Sequence, residues 1–397
     1  MIVKSRILYI ANHYRGPQQS GGNRSWHQVR ALAEHYEVDL LVPSFDPLTQ
    51  MPVVVEELPV VDGVHVKIVP AIKGGRRSIF GRLVYAISTT FSSIWLGSRT
   101  ERPIAVIAMG APPTSALAGW VLSRMKGVPL MLDVRDIPLE TALEREMLPS
   151  WFLRLAIWFE SRIFQGASHL VCVSEQMMRF LEEKGISRQR MSLNMIGYDA
   201  YADSVSGVPS EANDFLNVMY AGTLAQLIDI PTVLRAAEQV RQERVRFIVL
   251  GDGERLKEYR EWSDRQRLNV EFRGRVTKQE VHDCLNEANV CLYPLTGGAA
   301  TAAMLGNKVF DYLGAGKPVI YTGPPGSVSQ FLDDLGAGFV LDAEDDQGLS
   351  ALLRALTHRR NELRQQGDRA RSVILSFYTA AISADQLVSR LQGLLAR

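Results

Sequence analysis

The sequence predicts two α/β domains in tandem, each an open parallel sheet with crossover helices, and three observations carry that prediction. Its 397 residues exceed what one hydrophobic core usually serves. Short apolar, β-rich runs alternate with helical patterns from end to end, as they do when parallel strands are joined by helices. Between residues 198 and 217 the alternation dissolves into YDAYADSVSGVPSEANDFLN, a polar stretch with Ser, Gly and Pro that reads as a linker. The domains expected are therefore 1–205 and 206–379, with an amphipathic helix over 380–397 able to cross back to the first.

In the first half, strands are expected at RILYIAN, VDLLVP, VHVKIVP, IAVIAMG, PLMLDVR and HLVCVS, with helical periodicity between them at 23–36, 113–126 and 151–165. In the second half the strands are NVMYAG, RFIVLGD, NVEFRG, NVCLYPL, PVIYTG and GFVLD, separated by helices over 230–241, 254–267, 278–286 and 308–314. Sheets of this kind bind ligands beyond the carboxyl ends of their strands, so chemistry is sought in the loops directly after strands. Two such domains facing each other would put the site in a cleft.

Composition excludes several functions. Lysine and arginine total 44 against 43 aspartate and glutamate, so no global basic field draws the chain to nucleic acid, and an anionic ligand needs a local cluster. Cys172, Cys284 and Cys291 lack CxxC spacing, which argues against a disulfide framework and a zinc site and fits a reducing cytoplasm. The opening MIVKSRILYIANH has too short an apolar run for a signal peptide. No run reaches the roughly 20 apolar residues that span a bilayer. The nearest, LVYAISTTFSSIWLG at 83–97, follows Arg76, Arg77 and Arg82 and carries Tyr85, Phe91 and Trp95. It reads either as an amphipathic helix packed on its own domain or as one lying on an anionic membrane surface.

The loop after the first strand, NHYRGPQQSGGNRSW, sets Gly21 and Gly22 just before a helix, where backbone N–H groups and the helix dipole can meet a phosphate. The same arrangement serves as plain loop chemistry. In the second half, Gly222 and Thr223 follow one strand and Gly251 the next, leaving room for a base or diphosphate to approach the backbone. Lys308 and Asp311, three apart on one helix, share a face. They could hold a diphosphate and a ribose hydroxyl, or simply form a surface ion pair. Arg135 and Asp136 end a strand of the first domain, where Asp136 could orient or deprotonate a hydroxyl, or the two could be an internal ion pair. His13 ends the first strand. The Asp333-Asp334 and Asp345-Asp346 pairs read as solvated surface, and no carboxylate pair is assigned to a metal.

The segment NKVFDYLGAGKPVI (307–320) resembles the PxxKxxEYLAxGKPVI-like element of the donor domain of glycosyltransferase family 4 enzymes, with Asp311 where the family usually has glutamate. The resemblance covers nearly the whole chain in order. LDVRDIPLE resembles the family's IRDLWPE element, LVCVSEQMMRFLEEKGI the end of its acceptor domain, and MYAGTL, FIVLGDGE, VEFRGRV and CLYPL the successive pieces of its donor domain. It departs from many relatives in two places. Ala303 stands where they carry a glutamate eight residues before the ribose-binding one, and GTLAQLID lacks their arginine and lysine, leaving Lys308, with Arg275, to meet the diphosphate.

The resemblance implies the GT-B fold, two Rossmann-like domains across a cleft. It also implies a retaining, metal-independent transfer from a nucleotide-sugar, a UDP-sugar first, to a saccharide or lipid-linked acceptor in cell-surface polysaccharide or glycolipid synthesis. The expected place is the cytoplasm, peripheral on the inner face of the membrane, with no cofactor beyond the donor. Asp136 and Arg135 would be catalytic, and Gly21, Gly22, Gly222, Thr223, Gly251, Arg275, Lys308 and Asp311 would hold the donor. The alternatives are a nucleotide-sugar epimerase of the same fold and a non-catalytic nucleotide-sugar-binding protein. A nicotinamide-dependent oxidoreductase is disfavoured, because GGNRSW lacks the dinucleotide spacing.

Overall fold

The computed structural model describes residues 4–16, 19, 23–46, 51–59, 61–73, 79–144, 148–199 and 214–396. The chain forms two compact units: the first runs to Met195 and takes back the chain from Ala381 onward, and the second holds Ile196–Ala380.

The first unit contains strands β1 (Arg6–Ile10), β2 (Glu37–Pro43), β3 (Val64–Val69), β4 (Ala105–Met109), β5 (Leu130–Val134), β6 (His169–Cys172) and β7 (Met191–Leu193). Its helices are α1 (Arg24–His35), α2 (Ile79–Ser98), α3 (Pro113–Lys126), α4 (Pro138–Glu144), α5 (Ser150–Gly166) and α6 (Glu175–Glu183). The strands are all parallel, in the order β3-β2-β1-β4-β5-β6-β7. Central strands are apolar on both faces because both are covered, the normal state of a parallel sheet. Ile7, Tyr9, Leu40 and Ile107 point to one face, under Trp26, Val29 and Leu32 of α1. On the other face Gly119 of α3 lies so close to Ala108 that a Cβ there would come within 2.7 Å of it. Helix α3 is flanked by α2, through Gly97 against Leu122, and by α5, through Gly166 against Trp120.

The second unit contains β8 (Leu216–Ala221), β9 (Val245–Leu250), β10 (Val270–Gly274), β11 (Val290–Pro294), β12 (Val319–Thr322) and β13 (Gly338–Leu341). Its helices are α7 (Ile230–Gln239), α8 (Leu256–Gln266), α9 (Lys278–Glu287), α10 (Ala299–Ala303), α11 (Asn307–Gly314), α12 (Ser327–Leu335), α13 (Asp346–Leu356) and α14 (Arg360–Phe377). A last helix, α15 (Ala380–Leu395), belongs almost wholly to the first unit, where Ala384, Leu387, Val388 and Leu391 join the α1 face of the core. The second sheet is parallel in the order β10-β9-β8-β11-β12-β13. Both strand orders reverse once, between β1 and β4 and between β8 and β11, as in Rossmann-like sheets.

Local chemistry sets several helix ends. Thr277 and Glu280 form a reciprocal capping box at α9, and Asp229 caps α7 by accepting from Thr232 N–H. Helices α4, α6, α10, α12, α13 and α14 fall outside the helical spans expected from sequence, and further differences appear. The division falls at 195/196 and not at 205, because Tyr198 is buried against Gly314 and the Tyr198 N–H donates to Tyr378 carbonyl oxygen at 2.7 Å. Residues 200–213 of the expected linker lie outside the described residues. Strand β7 is an addition, three residues being too short for a periodic pattern. Asp345 is no solvated acid but the N-cap of α13, accepting from Gly348 N–H at 2.7 Å, and Asp346 pairs with Arg235 at 3.0 Å. Asp333 and Asp334 are exposed on α12, as expected.

Candidate functional site

In the second unit the expected donor residues gather where the strand order reverses. Strand β8 ends into Gly222, and β9 into Gly251, with φ of +149° and +129°, which glycine alone adopts readily. A Cβ on Gly251 would come within 1.9 Å of the Gly222 carbonyl oxygen. A Cβ on Gly222 would come within 2.0 Å of Lys308 Cε and 2.8 Å of its Nζ, so the lysine side chain lies directly over the bare backbone. Its ammonium is 5.9 Å from the ring centres of both Tyr220 and Tyr293, at the outer limit of cation–π attraction.

Lys308 and Asp311 are both partly exposed, and the expected alternative, a surface ion pair, is not what forms: neither side chain has a hydrogen-bond or ion-pair partner among the described residues. Burial lowers the Lys308 ammonium from its ordinary value, with Asp311 pulling the other way. Burial raises the Asp311 carboxyl to about 6; Asp199 adds to the rise, and Lys278 and Lys308 oppose it. Asp199 and Lys278 are themselves paired at 2.6 Å beside it, a charge arrangement the sequence did not signal. Tyr312, on the inner side of α11, donates to Ala221 carbonyl oxygen at 3.1 Å and accepts from Ala221 N–H at 2.8 Å. It therefore bolts the helix that carries Lys308 and Asp311 to the end of β8, a role with no signature in the local sequence. Lys317, four-square in the same motif, is buried and donates to Ala288 carbonyl oxygen at 2.8 Å, a structural use.

The other expected donor residues are more loosely placed. Thr223 is exposed, and its carbonyl accepts from Tyr220 Oη at 2.9 Å. Arg275 is exposed just after β10, two strands from β8 and so roughly 10 Å to the side. Ala303 ends the short helix α10 and is buried. Gly21 and Gly22 lie outside the described residues.

In the first unit Arg135 is engaged by an internal ion pair. Asp133, fully buried at the end of β5, receives Arg135 Nε at 2.7 Å and Arg24 Nη2 at 3.0 Å, with Gln28 Nε2 at 3.2 Å. Burial alone would raise its carboxyl; the two guanidiniums overcome that and hold it well below the usual carboxylate range. Arg24 also donates to Met195 carbonyl oxygen and Ser383 Oγ, each at 2.8 Å, tying α1 and β5 to α15. Asp136, next along, is exposed and has no hydrogen-bond or ion-pair partner among the described residues. The surrounding chain desolvates its carboxyl and raises it, against the pull of Arg135. His13, at the end of β1, is lowered to about 4 by burial and by Arg135 and Arg15, so it is a neutral imidazole at physiological pH. The two ends of this edge thus offer one open carboxylate and one neutral hydrogen-bonding ring.

Comparison with known proteins gives this geometry a family. Residues 21–196 match the family model described as a glycosyl transferase 4-like domain, and residues 216–359 the one described as glycosyl transferases group 1. Over 98% of both chains the sequence is 25% identical to the probable glycosyltransferase WbjE of Pseudomonas aeruginosa. Among solved structures it superposes on sucrose-phosphate synthase from Thermosynechococcus elongatus at a TM-score of 0.76 and 16% identity, covering 99% of this chain and all of that one. Anabaena HepE, solved with UDP and glucose, matches at 0.71 and 14% identity over 98% and 99% of the two chains. The lipopolysaccharide-biosynthesis glycosyltransferase WaaG matches at 0.67 and 12% over 97% and 99%. With both halves matched in order and both sheets Rossmann-like, the chain belongs to the glycosyltransferase 4-like family of GT-B fold and is a glycosyltransferase.

Proposed function

We propose that this enzyme moves a sugar from a UDP-sugar to a saccharide or lipid-linked acceptor, with retention at the anomeric carbon and without a metal ion. The observation that carries the reading is Lys308: an ammonium without an anionic partner among the described residues, laid over the glycine backbone at the β8/β11 reversal. An unpaired cation at a strand-end switch point suits a diphosphate, and Asp311 one turn on suits the ribose hydroxyls. HepE, bound to UDP and glucose, and WaaG, of lipopolysaccharide biosynthesis, support the choice of base and of a cell-surface glycan.

In this reaction the bond from the anomeric carbon to the diphosphate oxygen breaks, and the acceptor oxygen bonds to the same face of that carbon. The Gly222 and Gly251 N–H groups are spent on the Leu250 and Gly274 carbonyls, so Lys308, the N–H groups of Thr223 and Asp252 that follow the two glycines, and Arg275 from the side meet the charge developing on the leaving diphosphate. Asp136 orients the acceptor hydroxyl and takes its proton, its raised carboxyl fitting that task. Arg135 supports from behind through Asp133. Because side chain and backbone supply the charge, turnover should persist in EDTA; its loss, restored by magnesium, would contradict the metal-free step. A lipid-linked acceptor places the work at the inner face of the cell membrane, with α2 as the expected contact. The test of the reaction class is nucleotide release, which a transferase gives only with acceptor present. An epimerase would instead alter the sugar while it stays linked to the nucleotide.

A further inference from the structure

The first unit exposes an apolar surface that its own fold leaves uncovered. Of the eighteen large apolar side chains exposed among the described residues, nine lie on α2 and α5. On α2 they are Leu83, Ile87, Phe91 and Trp95, spaced four apart and so forming one stripe, with Phe91 70% exposed. On α5 they include Trp151, Leu155 and Trp158, spaced four and three apart, at 68%, 58% and 54% exposed. Burying aromatic rings is among the largest sources of stability a chain has, so rings left in water in a row mark a surface with a partner. The two stripes are on one layer, because α2 and α5 flank α3 on the same face of the sheet.

The charges on this layer identify the partner. Arg99 after α2, Arg124 on α3 and Arg154 and Arg162 on α5 are exposed, and the three helices carry one acid, Glu160, whereas the whole chain is nearly balanced at 44 basic to 43 acidic residues. Glu160 is 3% exposed and faces inward, so the outward side of these helices bears no carboxylate. Arg99 lies 3.9 Å over the Trp95 ring and Arg162 5.2 Å over that of Trp158. Indole rings edged by guanidiniums suit the boundary between anionic headgroups and acyl chains, where the ring is half buried and the cation meets phosphate. No described helix is long and apolar enough to cross a membrane, which leaves a surface contact.

The geometry points to a two-helix ridge, the α2 and α5 stripes together, that seats the first unit on an anionic lipid surface through its tryptophans and arginines. This deepens the membrane contact proposed for α2 and adds α5, which stands on its own exposure. Helices in a parallel sheet run opposite to the strands, so Trp151, at the start of α5, lies toward the carboxyl edge that carries Asp136. A lipid-linked acceptor in the same surface would then approach Asp136 from the docked side.

Co-sedimentation of the full chain with pure phosphatidylglycerol and pure phosphatidylcholine vesicles tests the ridge. Wild type should bind the anionic vesicles, with a blue shift in tryptophan emission, and bind the neutral ones far less. Trp151→Ala/Trp158→Ala and Phe91→Ala/Trp95→Ala should each lower binding on the order of tenfold. No binding to the anionic vesicles, or unchanged binding of the α5 variant, would overturn the inference. So would light scattering that shows a wild-type dimer, made monomeric by the α5 variant, with no vesicle binding, since the ridge would then cover a second copy. UDP binding, measured on the same samples, reports separately on the donor site: a failed ridge leaves it intact, and a failed donor-site reading abolishes it.

Discussion

A lysine and an acid one helical turn apart ordinarily pair, for roughly 0.2–0.5 kcal/mol on an exposed helix. Lys308 and Asp311 are left without that pair, and both are held away from their ordinary protonation ranges by burial. Such residues cost stability in the empty protein and repay it on ligand binding. Since the Asp311 carboxyl titrates at about 6, uridine nucleotide affinity should fall as pH drops below that value, and Asp311→Asn should flatten the profile while weakening binding throughout, as read by calorimetric titration. Gly222→Ala should abolish nucleotide binding, because its methyl would displace the Lys308 side chain; binding at wild-type affinity would remove Lys308 from the site. Glu160 gives a stability prediction with a definite sign. Burial raises it to about 7, and one of its oxygens has no hydrogen-bond partner. The folded state therefore holds the proton more tightly than the unfolded chain, and stability is lost as pH rises from near 4.5 through 7. Glu160→Gln should be about 1–2 kcal/mol more stable than wild type at pH 8, with little difference at pH 4, by chemical denaturation.

Among the elements, α15 is the one whose placement carries the most stability. Its Leu387 is fully buried against the α1 face of the first unit, so Leu387→Ala should cost about 2–5 kcal/mol. Asp133→Asn should cost about 3–5 kcal/mol, since Arg24 and Arg135 would face each other with no anion between them. The strands and most helices were legible in the sequence because parallel strands buried on both faces read as unbroken apolar runs between amphipathic helices. What escaped the sequence was set by contacts distant in the chain. The unit boundary depends on Tyr198 meeting Gly314 and the chain near Thr379, and nothing in YDAYADS announces that. The same holds within the sites: strand-end position flagged Gly222, Gly251 and Asp136, and helical spacing flagged Lys308 with Asp311, whereas the Asp133–Arg24 pair and the Tyr312 bolt join residues 109 and 91 positions apart. The ridge on α5 was hidden because a sequence shows that a helix has apolar residues and not which of them stay in water.

For the whole molecule, a net charge of only +1 means that recognition of both an anionic donor and an anionic lipid surface falls to local features. Lys308 provides the first, and Arg99, Arg154 and Arg162 beside the α2 and α5 stripes provide the second, in a chain of two compact units. The donor claim is central, since the transfer reaction and the role of Asp136 both depend on it. It is tested most directly by thermal shift of wild type, Lys308→Ala and Asp311→Ala with UDP, GDP and ADP at matched concentrations. UDP should raise the wild-type melting temperature more than the other nucleotides do, and each substitution should remove most of that rise. A wild-type melting temperature unmoved by any of the three nucleotides, or a rise that survives both substitutions, would contradict the account.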